Sequence, residues 1–408
     1  MRIAIISKAA NLGGGGSKVA TTLANLLRQN GHFCHHFRRD SEHGYETNQS
    51  NLFGPHEKLF KWLKYRFQSV GLQESVPLEY LYLKSELTRL EIDIVHIHDT
   101  TTALSPISIG LLTNHFPVVW TMHDFSPFTG GCVYPLGCVR FQSDCGNCPQ
   151  HSVWPLEGKY DLTSFHLTLK RWLHSKKIHI ISPSEYLKNQ AHESVIDTDK
   201  IVVINNGVDT KSFYPMDKHE VKKSLGLDPH KLTLLIIAFQ INSPIKGTDD
   251  ALKILHSLGE NIQVIVVGKV TKKDKHHFDG LNCTFAGYEK KVEQLNKYYN
   301  AADIFLNCSK ADNFPLVVLE SLAAGTPVYG YATGGIVEMI TNGCNGHLVK
   351  TGNWQELYNV ITHLSFEGLE KESNKSRNVA LESFSNEDFV MKTISFYEKL
   401  LREKNCIN

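Results

Sequence analysis

Two carboxylates eight residues apart, Asp312 and Glu320, stand in the segment Ala311-Asp312-Asn313-Phe314-Pro315-Leu316-Val317-Val318-Leu319-Glu320. They bracket a helix start, because Pro315 is tolerated in a first turn, where its missing N–H leaves no bond unmade. The free amides of Leu316 and Val317 then point at an anion site, and the helix dipole adds to the attraction. One carboxylate would grip sugar hydroxyls on one side of a bound diphosphate, and the other a ribose on the far side. The plainer alternative is an ordinary helix with a capping Asp and a chance Glu.

Other residue groups suggest chemistry with less force. Cys132, Cys138, Cys145 and Cys148 fall within 17 residues and close in Cys145-Gly146-Asn147-Cys148. Four soft ligands ending in Cys-x2-Cys suit a structural, tetrahedral zinc; two disulfides or four free thiols are the alternatives. Gly13 to Gly16 is a glycine run without dinucleotide-motif spacing, and Lys246-Gly247 alone is a solvated turn. Asp197-Thr198-Asp199 is an Asp-x-Asp, the metal–diphosphate signature of a different fold. It lies before a strand, away from any carboxyl-end loop, so it reads as a solvated turn and no catalytic metal is expected.

The elements that must position these groups alternate. Short apolar runs at Arg2 to Ser7, Ile94 to His98, Val118 to Met122, Ile178 to Ser182 and Ile201 to Ile204 are separated by helical patterns. That is the rhythm of a parallel sheet. Val19, Leu23, Leu26 and Leu27 place the first helix directly after the glycines, with Gly31 as its stop. A second series follows Asn206-Gly207-Val208-Asp209, at Thr233 to Phe239, Ile262 to Gly268, Ala302 to Asn307 and Pro327 to Tyr331. A length of 408 residues suits two such domains.

Forty-three basic against 42 acidic residues leave a net charge of +1, which argues against a nucleic-acid partner. The longest apolar stretch, near Leu232 to Phe239, is far short of the ~20 residues that span a bilayer. The N-terminus runs from a strand into the glycine loop with no signal-peptide pattern, so a cytoplasmic address is expected. Nine cysteines in such a chain favour thiols or metal ligation over a disulfide framework. Residues 56–72 carry Lys58, Lys61, Lys64 and Arg66 among Leu59, Phe60, Trp62, Leu63 and Phe67. This basic amphipathic helix suits an anionic membrane surface, and hence a peripheral place on the inner face of the cytoplasmic membrane. The alternative packs a Leu59-Leu63-Phe67 stripe on the sheet and leaves the lysines in water.

The Asp312–Glu320 segment, with Gly334-Gly335 and Glu338 after it, resembles the Glu-x7-Glu signature of retaining GT-B glycosyltransferases. These belong to the large bacterial family that builds cell-surface polysaccharides, glycosyltransferase family four. The resemblance covers nearly the whole chain. It implies an α/β fold of two Rossmann-like, doubly wound domains facing a central cleft. Residues 1–206 would form the acceptor domain, with the Cys-rich loop 130–150, and residues 207–385 the donor domain. Residues 386–408 would form a helical tail packing back toward the first. The implied reaction moves a hexose from a nucleoside diphosphate sugar to a glycan or lipid-linked acceptor, with retention, in exopolysaccharide, O-antigen or lipopolysaccharide synthesis.

Carried over by position, Glu320 would hold the donor ribose and Asp312 the donor hexose, Asp being one methylene shorter than the usual Glu. Lys246 would neutralise the leaving diphosphate. Six residues earlier, where many members have Arg, stands Gln240. The glycine run resembles the loop that approaches donor phosphates and acceptor, and His123-Asp124 resembles the acceptor-side wall, where the imidazole would bond the transferred sugar or the incoming hydroxyl. The catalytic set on this reading is His123, Lys246 and Asp312. The donor set is Gly15, Gly16, Lys246, Asp312, Phe314, Leu316, Val317 and Glu320. One branch of the family carries a cysteine cluster like Cys132–Cys148 after its His-Asp. Two other functions fit the architecture: a nucleotide-sugar epimerase, which would form product without an acceptor, and a non-catalytic nucleotide-sugar or glycan sensor.

Overall fold

The computed structural model describes residues 1–9, 14–40, 44–101, 103–194, 196–197 and 200–405. Gly13, Thr198 and Asp199 of the motifs above lie outside them. The chain divides into two compact units, one formed by Met1–Asn205 with Val390–Asn408, the other by Asn206–Phe389.

The first unit holds a seven-stranded, wholly parallel sheet of β1 (Arg2–Ser7), β2 (Phe33–Arg38), β3 (Gln49–Asn51), β4 (Ile94–Ile97), β5 (Val118–Thr121), β6 (Ile178–Ser182) and β7 (Ile201–Val203). Its order is β3-β2-β1-β4-β5-β6-β7. The second unit holds β8 (Leu232–Gln240), β9 (Ile262–Lys269), β10 (Cys283–Gly287), β11 (Ile304–Asn307), β12 (Val328–Tyr331) and β13 (Gly346–Val349), ordered β10-β9-β8-β11-β12-β13. Both sheets are doubly wound: strand order runs one way from β1 or β8, then restarts on its other side. Such a reversal opens a crevice at the carboxyl ends of the two strands that flank it.

Alternation along the strands builds a core on each face. In the second sheet Leu235, Ile265 and Phe305 join one apolar cluster, while their neighbours Leu234, Val264 and Ile304 join the other. Helices cover both faces by the same logic. The helix Gly15–Gln29 buries Val19, Ala20, Leu23, Ala24 and Leu27 along one stripe, and Gly31, at a φ of 79°, turns the chain into β2. From Val390 onward the last helix belongs to the first unit, where the Tyr397 hydroxyl bonds His96 Nδ1.

The helix Glu57–Val70 packs otherwise than the sequence pattern predicts. Lys64 is buried, 3.2 Å from Glu79 Oε2, and donates to the Ala103 carbonyl at 2.7 Å. Leu59, expected on the packed stripe, is 52 % exposed, and the inward face runs through Phe60 and Lys64 instead. A buried carboxylate reached by a lysine sets the helix rotation here, because an unpaired Glu79 in the interior would cost more than the apolar stripe gains. Lys58, Leu59, Trp62, Tyr65 and Arg66 are left facing water. No helix among the described residues is long and apolar enough to cross a membrane.

Candidate functional site

In the second unit the reversal lies between β8 and β11, and the loops that follow these strands are tied together. The turn after β8, Pro244–Lys246, brings Lys246 Nζ to 2.6 Å from Asp312 Oδ2, in the loop after β11. Ser309 Oγ donates to the same oxygen at 3.2 Å, and the Lys310 amide to the Ile245 carbonyl at 2.7 Å. Two glycines permit the approach. Gly247 has a φ of 64°, and a Cβ there would run into the Cys308 carbonyl; one at Gly334, with a φ of 57°, would run into that of Asp312. Lys246 and Asp312 thus meet although 66 residues separate them.

The helix Leu316–Ala323 starts beside this pair, with Pro315 at the N-cap, one step before the first turn where it was expected. Leu316 and Val317 are its first two residues, and their amides precede any intrahelical acceptor. Glu320 is 4 % exposed and accepts the Tyr299 hydroxyl at 3.0 Å; burial, with Glu320 beside it, pushes that phenol well above its ordinary range, so it stays a donor. Phe314 packs edge-on to Phe384 in the core, so what it offers a ligand is main chain. A lysine, two leading helix amides and two carboxylates therefore collect at one strand edge, a set able to hold a phosphate and a neighbouring diol.

Sequence reasoning missed Lys269. A register shift at the end of β8 pairs Gln240 with Lys269, whose ammonium lies 4.4 Å from the Phe239 ring centroid. The shifted register thus makes Lys269 the strand partner of Gln240.

In the first unit the reversal lies between β1 and β4. His98 and Asp99 follow β4, His123 and Asp124 come just after β5, and the helix Gly15–Gln29 begins at the same edge. Gly16 faces His123 so closely that a Cβ would lie 2.9 Å from two ring atoms. Gly15 has open space at its Cα. His123 Nε2 is 3.0 Å from His98 Nδ1, and Ser17 Oγ donates to Asp99 Oδ2 at 3.4 Å. Burial lifts the Asp99 carboxyl to about 7, Lys8 opposing and Asp124 adding. Neither His98 nor Asp99 was singled out from sequence; the available signal was the polar interruption of an apolar strand at His96, His98 and Asp99.

The four clustered cysteines are free thiols, and all line one cavity with Phe141 and Gly130. No group of three or more His, Cys, Asp or Glu side chains among the described residues is arranged to hold a metal ion. The structural zinc expected from Cys132, Cys138, Cys145 and Cys148 therefore finds no support in the geometry. Burial pushes the Cys132 thiol up to about 12 and raises Cys145 and Cys148.

Two family descriptions match the chain: "Glycosyltransferase Family 4" over residues 13–212 and "Glycosyl transferases group 1" over residues 217–379. The chain belongs to glycosyltransferase family four. A putative colanic acid biosynthesis glycosyl transferase of Escherichia coli is 27 % identical over 222 residues, 53 % of this chain and 52 % of that protein. The match thus spans about half the length of this curated relative. Among solved structures, the sucrose-phosphate synthase of Thermosynechococcus elongatus superposes with a TM-score of 0.76 at 18 % identity, covering 99 % of this chain and all of that one. Anabaena HepE in complex with UDP-glucose gives 0.69 at 16 % identity, over 98 % of this chain and 100 % of that one. Both carry the fold: this family-four member has the two Rossmann-like domains of the GT-B class.

The buried imidazoles of the first domain set a response to pH. Burial depresses His36 and His96 to about 3, and His35, His123 and His174 to about 4, from an ordinary 6.5. Between pH 6.5 and about 4 the unfolded chain takes up protons that the folded one refuses, so stability rises with pH across that window. Asp99, held at about 7 against an ordinary 3.8, and Asp124, raised by burial, work the other way but are two groups against five. We expect the calorimetric unfolding midpoint of the first domain to be highest above pH 6.5 and to fall steadily toward pH 4. A midpoint that stays level or rises on acidification contradicts these burials.

Proposed function

We propose that this chain is a hexosyltransferase that binds a nucleoside diphosphate sugar in its second domain and passes the sugar, with retention, to a glycan or lipid-linked acceptor held by its first. The observation that carries the reading is the Lys246–Asp312 pair at the β8/β11 reversal, beside the start of the helix that bears Glu320. Lys246 and the amides of Leu316 and Val317 would take the diphosphate, and Glu320 the ribose diol. Asp312, already bonded by Lys246 and Ser309, would orient the ammonium and meet the hexose from one side. As the C1–O bond to phosphate breaks, the cation stabilises the charge that builds on the leaving oxygen. The acceptor hydroxyl attacks C1 from the face that the phosphate leaves and gives its proton to the departing phosphate oxygen. This needs no divalent ion. Retention follows from the family likeness. The E. coli relative, named for colanic acid biosynthesis, supports a role in cell-surface polysaccharide synthesis, and HepE with its UDP-glucose supports a uridine donor.

Thermal unfolding of the full chain in EDTA, against a panel of nucleoside diphosphate sugars, tests the reading. A donor present at 100 times its Kd adds about 2.7 kcal/mol to the state that binds it, and so raises the midpoint. Glu320→Gln should fold and lose most of that rise, since a hydrogen bond to a charged group contributes about 1.5–3 kcal/mol, roughly ten- to a hundredfold in affinity. No response to any nucleotide sugar, or an equal response in Glu320→Gln, defeats the assignment.

The acceptor's location supplies a second element. The outward face of Glu57–Val70 exposes Trp62 and Tyr65 at 58 % and 70 %, between Lys58 and Arg66. Amphipathic aromatics between cations suit an anionic lipid surface, where a lipid-linked acceptor would lie. The chain should co-sediment with vesicles containing phosphatidylglycerol and less with pure phosphatidylcholine, and the difference should shrink in high salt and in a Lys58→Glu, Trp62→Ala variant. Equal sedimentation with both vesicles would leave this face a solvated one.

A further inference from the structure

His123 belongs to a buried cluster of imidazoles with His96 and His98. At the far end, the Tyr397 hydroxyl reaches His96 Nδ1, and His96 Nε2 is 2.7 Å from Thr121 Oγ1. Burial keeps Tyr397 a neutral phenol, hence a donor. With that O–H donated to Nδ1, His96 donates from Nε2 to Thr121. Its ring lies 4.2 Å from that of His98, tilted by 34°, with no hydrogen bond between them. His98 is 1 % exposed, and its ring plane is inclined by 22° to that of His123, with the ring centroids 5.2 Å apart. That orientation suits an in-plane bond across the 3.0 Å between His98 Nδ1 and His123 Nε2.

One proton lies between those two nitrogens, and either ring can own it. If His123 donates, His98 must accept at Nδ1, and a neutral His98 then carries its proton on Nε2. That atom is buried and has no hydrogen-bond partner among the described residues. If His98 donates from Nδ1, its Nε2 is a bare lone pair. Buried N–H groups left without an acceptor are the rarer of the two defects in folded proteins. The second arrangement fixes the other end of His123 as well: a neutral ring that accepts at Nε2 carries its proton at Nδ1.

We propose that His98 is a positioning residue that donates from Nδ1 to His123 and thereby holds His123 as the Nδ1–H tautomer. A sugar hydroxyl that reaches His123 Nδ1 then meets a hydrogen-bond donor and not a base. Depression of His123 to about 4 by burial is in keeping with a ring that stays neutral through the physiological range. Gly16 completes the arrangement, since its bare Cα lets the first helix close against the ring. The tautomer follows from the first domain alone; its use in catalysis rests on the function proposed above.

The test separates the two. In protein labelled with 15N-histidine, two-bond proton–nitrogen spectra at pH 7.5 distinguish a protonated from a bare ring nitrogen, and a His123→Gln difference spectrum assigns the signals. His123 should show a protonated Nδ1 and a bare Nε2. His98→Asn, whose amide can donate from about the position of Nδ1, should keep that pattern, and His98→Leu should lose it. A His123 protonated at Nε2 in the unaltered protein overturns the proposal, whether or not the variants fold. In turnover with the donor that the thermal panel identifies, His98→Leu should lower kcat at least tenfold with little change in donor KM, and His98→Asn should recover most of it. A tautomer found as stated with turnover indifferent to His98→Leu counts against His123 as the sugar's donor, and leaves the positioning by His98 standing.

Discussion

A parallel sheet sheathed by helices on both faces has only its strand ends open to solvent. Side chains along the strands are committed to one core or the other, as Leu234 and Leu235 are on opposite faces of β8. Chemistry is thereby confined to the loops at the carboxyl edge, and the reversal of strand order decides which of those loops diverge enough to admit a ligand. Lys246 and Asp312 occupy those loops in the second domain, and Gly16, His98, Asp99 and His123 in the first. The two edges differ in character. One presents a cation beside a helix start, the other neutral imidazoles beside a carboxyl that burial holds near its midpoint at neutral pH.

The second edge depends on backbone proximity more than on any one side chain. Glycine at 247 and 334 lets three loops touch through their carbonyls, so that a lysine and an aspartate can meet at 2.6 Å. With the shorter Asp at 312, the carboxylate reaches Lys246 and Ser309 and is held there. A shifted register pairs Lys269 with Gln240, and the Lys269 ammonium lies over the Phe239 ring.

Those contributions explain which parts were legible in the sequence. Strands β1, β6 and β8 announce themselves as apolar runs, and the Asp312–Glu320 segment carries its helix start in Pro315. Strand β2 does not: in Phe33-Cys34-His35-His36-Phe37-Arg38 half the residues are polar, and they are buried because neighbours such as Ser7 bond them, His36 Nε2 lying 2.8 Å from Ser7 Oγ. The edge strands β10 and β13 are short and carry little apolar signal. Lys64 shows the same limit from the other side, since a basic residue in an amphipathic pattern reads as solvated unless its buried partner, Glu79, is known. His98 and Lys269 matter through neighbours distant in the chain, a relation that periodicity does not express. The cysteine spacing suggested a metal; the fold brings the four thiols to one cavity without arranging three of them as metal ligands among the described residues.

The central claim is that the β8/β11 edge is a diphosphate site. A structure of the full chain with a bound nucleoside diphosphate tests it most directly. The phosphates should lie against Lys246 and the amides of Leu316 and Val317, with both ribose hydroxyls on Glu320. A nucleotide seated elsewhere, with the Lys246–Asp312 pair undisturbed and remote from any phosphate, would contradict it.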